Sequence, residues 1–186
     1  GVEAFEEKEY TKAQYYLDKI KSMYLVLEDH IRYYLAKSML LQEKYDLSAM
    51  NYQLVIENYK ESIFREKSYI ELADSYYLNE DYAIAEEKYG SYIKEYPDSS
   101  LAPYGLFQQG VCMEKNKKLD EAYSVFKKIY LDYPETEDAV YSFDNLNRLA
   151  NIENLPQFKP DASELYSRGE KLFKIYYYDL ALESFS

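Results

Sequence analysis

Apolar residues recur along this chain at helical spacing, in paired segments divided by short polar breaks. Between Ser68 and Leu78 they fall at Tyr69, Ile70, Ala73, Tyr76 and Tyr77, which predicts a helix. Asn79-Glu80-Asp81 interrupts the pattern. Tyr82 to Tyr96 predicts a partner helix with Ala85, Tyr89, Tyr92 and Ile93 turned inward. Tyr96-Pro97-Asp98-Ser99-Ser100 then ends the pair. Pro97 cannot continue a helix, Ser100 is a predicted N-cap for the next one, and Pro103 falls in its first turn.

The pairs repeat with a period of 37 residues, which aligns Ala36 with Ala73 and Gly110. Tyr45, Tyr82 and Leu119 share a register, as do Ser48, Ala85 and Ala122, and Tyr52, Tyr89 and Phe126. Small residues on both helices allow close backbone crossing, and the aromatic ring fills the adjacent gap. Small, small, aromatic, then a proline-type turn is the tetratricopeptide (TPR) arrangement. The expected fold is all-α: TPR-like helical hairpins forming a right-handed superhelix, or α-solenoid.

The same spacing fixes the expected domain plan. Residues 1–151 hold about four helix pairs and one extra helix, from about Thr136 to Ala150. Gly1, Tyr10, Ala13 and Leu17 make the first pair a truncated one. Residues 152–160, with Pro156 and Pro160, read as a linker replacing a second helix. Residues 161–186 begin a further repeat, marked by Gly169, Tyr178, Ala181 and Phe185, and stop inside its second helix. The pattern implies a piece of a longer protein.

Composition narrows the function. A net charge of -12 makes nucleic acid and anionic membrane surfaces poor partners. No apolar stretch approaches the length of a transmembrane helix. With one cysteine, Cys112, no intrachain disulfide can form, and its register makes it a small buried thiol.

Catalytic signatures are absent: no Cys-x-x-Cys, His-Glu-x-x-His, phosphate-binding glycine loop or nucleophile elbow. With His30 alone, neither a histidine triad nor a His-rich metal site can be assembled. No catalytic residue, metal ligand or cofactor is expected. Helical arrays present extended surfaces instead. The first-helix positions expected to line a concave face are Tyr33, Tyr77, Tyr104 and Tyr166, with Lys37, Asp74 and Glu114 near them. Rings interleaved with polar groups suit a protein or peptide partner, with sugar rings of peptidoglycan as a further candidate.

The order of motifs carries a family resemblance. Leu27-Glu28-Asp29-His30-Ile31-Arg32-Tyr33-Tyr34-Leu35-Ala36 is followed by Leu72-Ala73-Asp74-Ser75-Tyr76-Tyr77 and Tyr92-Ile93-Lys94-Glu95-Tyr96-Pro97. Gly110-Val111-Cys112-Met113-Glu114 and Tyr133-Pro134 come next, and Leu165-Tyr166-Ser167-Arg168-Gly169-Glu170 follows the proline linker. This resembles the helical N-terminal region of bacterial soluble lytic transglycosylases. The resemblance implies a periplasmic scaffold whose parent carries a peptidoglycan-cleaving domain elsewhere. That family's catalytic Glu-Ser is followed by Gly-Leu-Met-Gln. Glu61-Ser62 and Glu183-Ser184 lack that sequel, so no catalytic residue carries over. The alternative expectation is a periplasmic TPR lipoprotein that acts purely through protein contacts in envelope assembly or division.

Overall fold

A computed structural model describes residues 1–21, 23–153 and 157–185, with the backbone alone at 152 and 153. The described residues are helical apart from turns and short connections. Among them, eleven α-helices follow in order: α1 (Val2–Glu6), α2 (Tyr10–Ile20), α3 (Glu28–Leu40), α4 (Tyr45–Asn58), α5 (Arg65–Leu78), α6 (Tyr82–Glu95), α7 (Ala102–Lys115), α8 (Leu119–Asp132), α9 (Glu137–Glu153), α10 (Ala162–Lys174) and α11 (Tyr178–Phe185). They form two compact units, Gly1–Pro97 and Asp98–Ser186. In the first, hairpins α1/α2, α3/α4 and α5/α6 stack through α2 on α3 and α4 on α5. In the second, α9 packs on both helices of hairpin α7/α8, and α10 of hairpin α10/α11 touches α8.

The small and aromatic positions are the packing positions. Ala36, Ser48, Tyr52, Ala73, Ala85, Tyr89, Ala122 and Phe126 are all 0% exposed. Close approach explains the glycine at 110: a Cβ there would meet Phe126 Cε1 at 2.9 Å, and one at Gly169 would meet Phe185 Cε1 at 2.4 Å. The two sites differ in whether the ring can yield. Phe126 is fully enclosed, whereas Phe185 is 46% exposed. Alanine gains about 1 kcal/mol over glycine within a helix, which must be set against the clash. Gly110→Ala is therefore expected to destabilise by about 1–2 kcal/mol. Gly169→Ala is expected to stay within about 1 kcal/mol of the parent, because Phe185 can swing toward solvent. Urea denaturation of the two variants checks the contrast.

Each hairpin turns through one left-handed residue: Lys8 (φ 62°), Glu43 (60°), Glu80 (63°), Lys117 (64°) and Tyr176 (69°). The following residue donates its N–H back to the preceding helix, as in Asp81 N to Tyr76 O (2.9 Å) and Lys118 N to Met113 O (2.9 Å). This is a Schellman closure built without glycine. A non-glycine residue there is strained by about 1–2 kcal/mol, part of which glycine returns as backbone entropy. Glu80→Gly is expected to raise stability by about 0.5 kcal/mol, read as a higher urea midpoint.

Between hairpins, Pro97 and Pro134 stand where helices end, as the sequence predicts. Pro103 lies in the first turn of α7, but the capping residue differs from expectation. The N-cap of α7 is Leu101 and not Ser100, with no side-chain cap; Ser99 Oγ accepts the Leu101 N–H at 3.1 Å just before the helix. Helix α9 runs three residues past Ala150, to Glu153, so the expected linker starts late. Its residues 154–156 lie outside the described part of the chain. Downstream, Phe158 docks on two helices: it is 8% exposed and meets Tyr130 of α8 at 5.3 Å and Phe143 of α9 at 6.2 Å between ring centroids. Asp161 and Glu164 then close a reciprocal capping box that starts α10.

Candidate functional site

Helix α5 carries three carboxylates that tyrosine hydroxyls seek out. Tyr52 of α4 donates to Glu71 Oε2, and Tyr33 of α3 donates to Glu71 Oε1 at 3.1 Å. Lys37 Nζ donates to the same Oε1 at 2.8 Å. Tyr89 of α6 donates to Asp74 at 2.5 Å, and Tyr92 donates to Glu66 at 3.1 Å. An acidic, tyrosine-rich chain thus satisfies its inward carboxylates with phenols more than with basic residues. Tyr33 also lies flat on Phe64, with centroids 4.3 Å apart.

These contacts revise the expected binding face. Tyr33 is 4% exposed, so it is a core residue and not a platform for a ligand. Phe64, from the turn before α5, covers it. Lys37 is half-buried and paired with Glu71, and Asp74 is half-buried on the Tyr89 hydroxyl. Tyr77 is half-buried against Tyr82, with centroids 5.6 Å apart. In the second unit, Arg148 of α9 clamps Glu114 of α7 through two bonds, 2.9 and 2.5 Å. Tyr104 is half-buried on α7. Tyr166 of α10 is 59% exposed and meets Phe185 at 5.7 Å, beside a cleft of about 660 Å³ that Leu165, Glu170, Phe173 and Lys174 also line. Tyr33 and Lys37 therefore share one network through Glu71. Glu71, Phe64 and Arg148 were not singled out from the sequence. Their charge or loop position gave no periodic signal.

Among the described residues, no group of three or more His, Cys, Asp or Glu side chains could hold a metal ion. His30 Nδ1 lies 2.8 Å from the Asp29 carboxylate, and its ring meets Phe64 edge-on at 4.8 Å. Burial acts to raise the Asp29 carboxyl, but hydrogen bonds from His30 and Ser62 outweigh it and hold the group below its ordinary value. A hydrogen bond from Tyr59, with Arg32 alongside, holds the Glu28 carboxyl low despite burial.

The phenols are pushed the other way. Burial, reinforced by the Glu71 charge, pushes Tyr33 up to about 12 and Tyr52 well above its ordinary value. A raised folded-state value means the folded chain holds a proton that the unfolded chain releases first. The stabilisation is complete below about pH 10 and is lost as pH rises from there toward about 12. Urea midpoints are expected to fall across that window, and Tyr33→Phe is expected to flatten the fall.

The comparisons with known proteins give a family and a fold. Residues 27–166, well over half of the chain, match the family YfiO, described as an outer membrane lipoprotein. The chain belongs to the YfiO family. The matched span runs from the turn before α3 into α10, so it takes in the carboxylate network and the α7–α9 segment alike. No curated protein matches this YfiO-family chain significantly.

Among solved structures, the chain is similar to a Podosopora anserina protein described as a putative kinesin light chain with nearly identical TPR-like repeats. A single-substitution variant of that protein gives a TM-score of 0.66 at 12% identity, over 97% of this chain and 92% of the other. A second structure of it gives 0.64 at 11%, over 98% and 90%. BtubC (BKLC) from P. vanneervenii gives 0.59 at 12%, over 96% and 87%. At these identities the likeness shows the fold: TPR-like repeats, as the 37-residue period predicts. The expectation of a lytic transglycosylase finds no support among these matches, and the lipoprotein alternative fits them better. Among the described residues of this family member, no helix is long and apolar enough to cross a membrane.

Proposed function

We propose that this chain is a non-catalytic, periplasm-facing scaffold that binds other proteins during assembly of the outer envelope. The observation that carries the reading is the YfiO match over residues 27–166, which runs from the turn before α3 into α10. The chemistry of the helices supports it. The inward carboxylates of α5 are matched by internal partners, and Tyr77 and Tyr104 are half-buried, so part of each side chain still faces solvent. Tyrosine is well suited to protein contacts, because its ring is large, rigid and amphipathic. A role in holding peptidoglycan is the reading that the test must separate from this one.

Photo-crosslinking amino acids placed at Tyr77 and at Tyr104 of the full-length protein test the proposal in intact cells. Discrete adducts with other envelope proteins are expected. Purified chain should stay in the supernatant when cell-wall sacculi are pelleted. Co-sedimentation that soluble glycan fragments compete away, without protein adducts, would replace the protein-binding reading with a cell-wall one.

A further inference from the structure

One turn of the first unit holds five consecutive apolar residues out in solvent. Met23, Tyr24, Leu25, Val26 and Leu27 are 69%, 53%, 71%, 94% and 49% exposed. The turn has a defined shape: Met23 N–H donates to Ile20 O at 2.8 Å, and Leu27 N–H donates to Tyr24 O at 3.0 Å, closing a short 3-10 turn over 25–27. A continuous exposed run of this kind has no role in the core and marks a contact site. A second turn stands beside it. Phe64 meets His30 edge-on at 4.8 Å and stacks on Tyr33 at 4.3 Å, which brings the α4–α5 turn against the start of α3. That turn holds Ile63 out in solvent, 75% exposed. Two neighbouring inter-hairpin turns thus offer apolar tips at one edge.

We propose that this edge inserts into the interfacial layer of a bilayer of zwitterionic lipid. The inference rests on the envelope placement proposed above. The shape favours lipid: the run is a protruding tip with no polar residue inside it, and a headgroup layer accepts such a tip without a complementary pocket. Tyr24 suits the boundary, where its ring is shielded and its hydroxyl stays wet. The charges beside the tip are mostly paired: Lys21 with Asp18 and Glu28 with Arg32, while Asp29 hydrogen-bonds His30 and Lys19 precedes the tip. A net charge of -12 repels an anionic surface and selects a neutral one. A tip this small holds a membrane only weakly alone, so it acts as the second contact of a chain already tethered.

The chain has no tryptophan, so Tyr24→Trp provides a single reporter. The full chain is tethered by an N-terminal hexahistidine tag to phosphatidylcholine vesicles that contain nickel-chelating lipid. A blue shift of the introduced tryptophan, with quenching by lipid brominated in its acyl chains, is expected. Adding Leu25→Ser and Val26→Ser should lower the inserted fraction roughly tenfold. A separate Met50→Trp reporter, on the exposed side of α4 in the same unit, should not shift. No shift at position 24, or equal shifts at both positions, overturns the proposal. So does a shift without lipid that grows with protein concentration, which would mean a protein contact. Fractionation of the full-length protein tests the placement separately: recovery outside the envelope removes the premise, whereas recovery within it beside an unshifted reporter overturns the tip alone.

Discussion

Glu71→Ala is expected to destabilise the protein by about 3 kcal/mol, read as a lower urea midpoint at unchanged slope. Three donors converge on this carboxylate: Tyr52 and Tyr33 hydroxyls and the Lys37 ammonium. Tyr52 is 0% exposed, so its hydroxyl finds no water when the acceptor is gone. The double variant separates this from simple loss of packing. Tyr52→Phe alone should cost about 1–2 kcal/mol, because it strips one donor from a carboxylate that keeps two others. In the Glu71→Ala background the same change should be neutral or favourable, since it removes an orphaned hydroxyl. Additive costs would mean that the hydrogen bond contributes nothing to stability.

Phe126→Ala is expected to cost about 3–5 kcal/mol. The ring is 0% exposed, packs against Phe107 at 5.6 Å and lies over the bare backbone of Gly110. With no side chain on the glycine, nothing can relax into the space that the ring leaves. The sign of Gly110→Ala should therefore reverse between backgrounds. It is harmful beneath the intact ring, but beneficial by about 1 kcal/mol once the ring is gone, because the new methyl fills part of the cavity. A urea-melt cycle of the four proteins checks this. If Gly110→Ala is equally harmful in both backgrounds, ring contact is not the reason for the glycine.

The repeat is legible because small and aromatic side chains recur at fixed spacing: Ala36, Tyr52, Ala73, Tyr89 and Phe126 are buried where the spacing puts them, and only in the last pair is the ring, Phe185, left 46% exposed. Tyr33 was misplaced for a physical reason. Phe64 from the next turn folds over it, and a loop residue's reach carries no period. Glu71 was hidden by chemistry. In a chain with 34 acidic residues, a lone glutamate reads as solvated surface, and only the three-dimensional meeting of two phenols and a lysine shows otherwise. The length of α9 and the docking of Phe158 escaped for a similar reason. Two prolines announce a break without saying which side chain will bridge it.

The left-handed turns have a consequence for how the hairpins form. Lys8, Glu43, Glu80, Lys117 and Tyr176 each hold a strained backbone, and no glycine eases it. A turn that is uphill on its own cannot nucleate the hairpin around it. The two helices must first find each other through the small-on-aromatic contact, and the turn then closes behind the transition state. Folding of each repeat is thus led from its middle, and the tightest bends of the chain are the last places to acquire their native form.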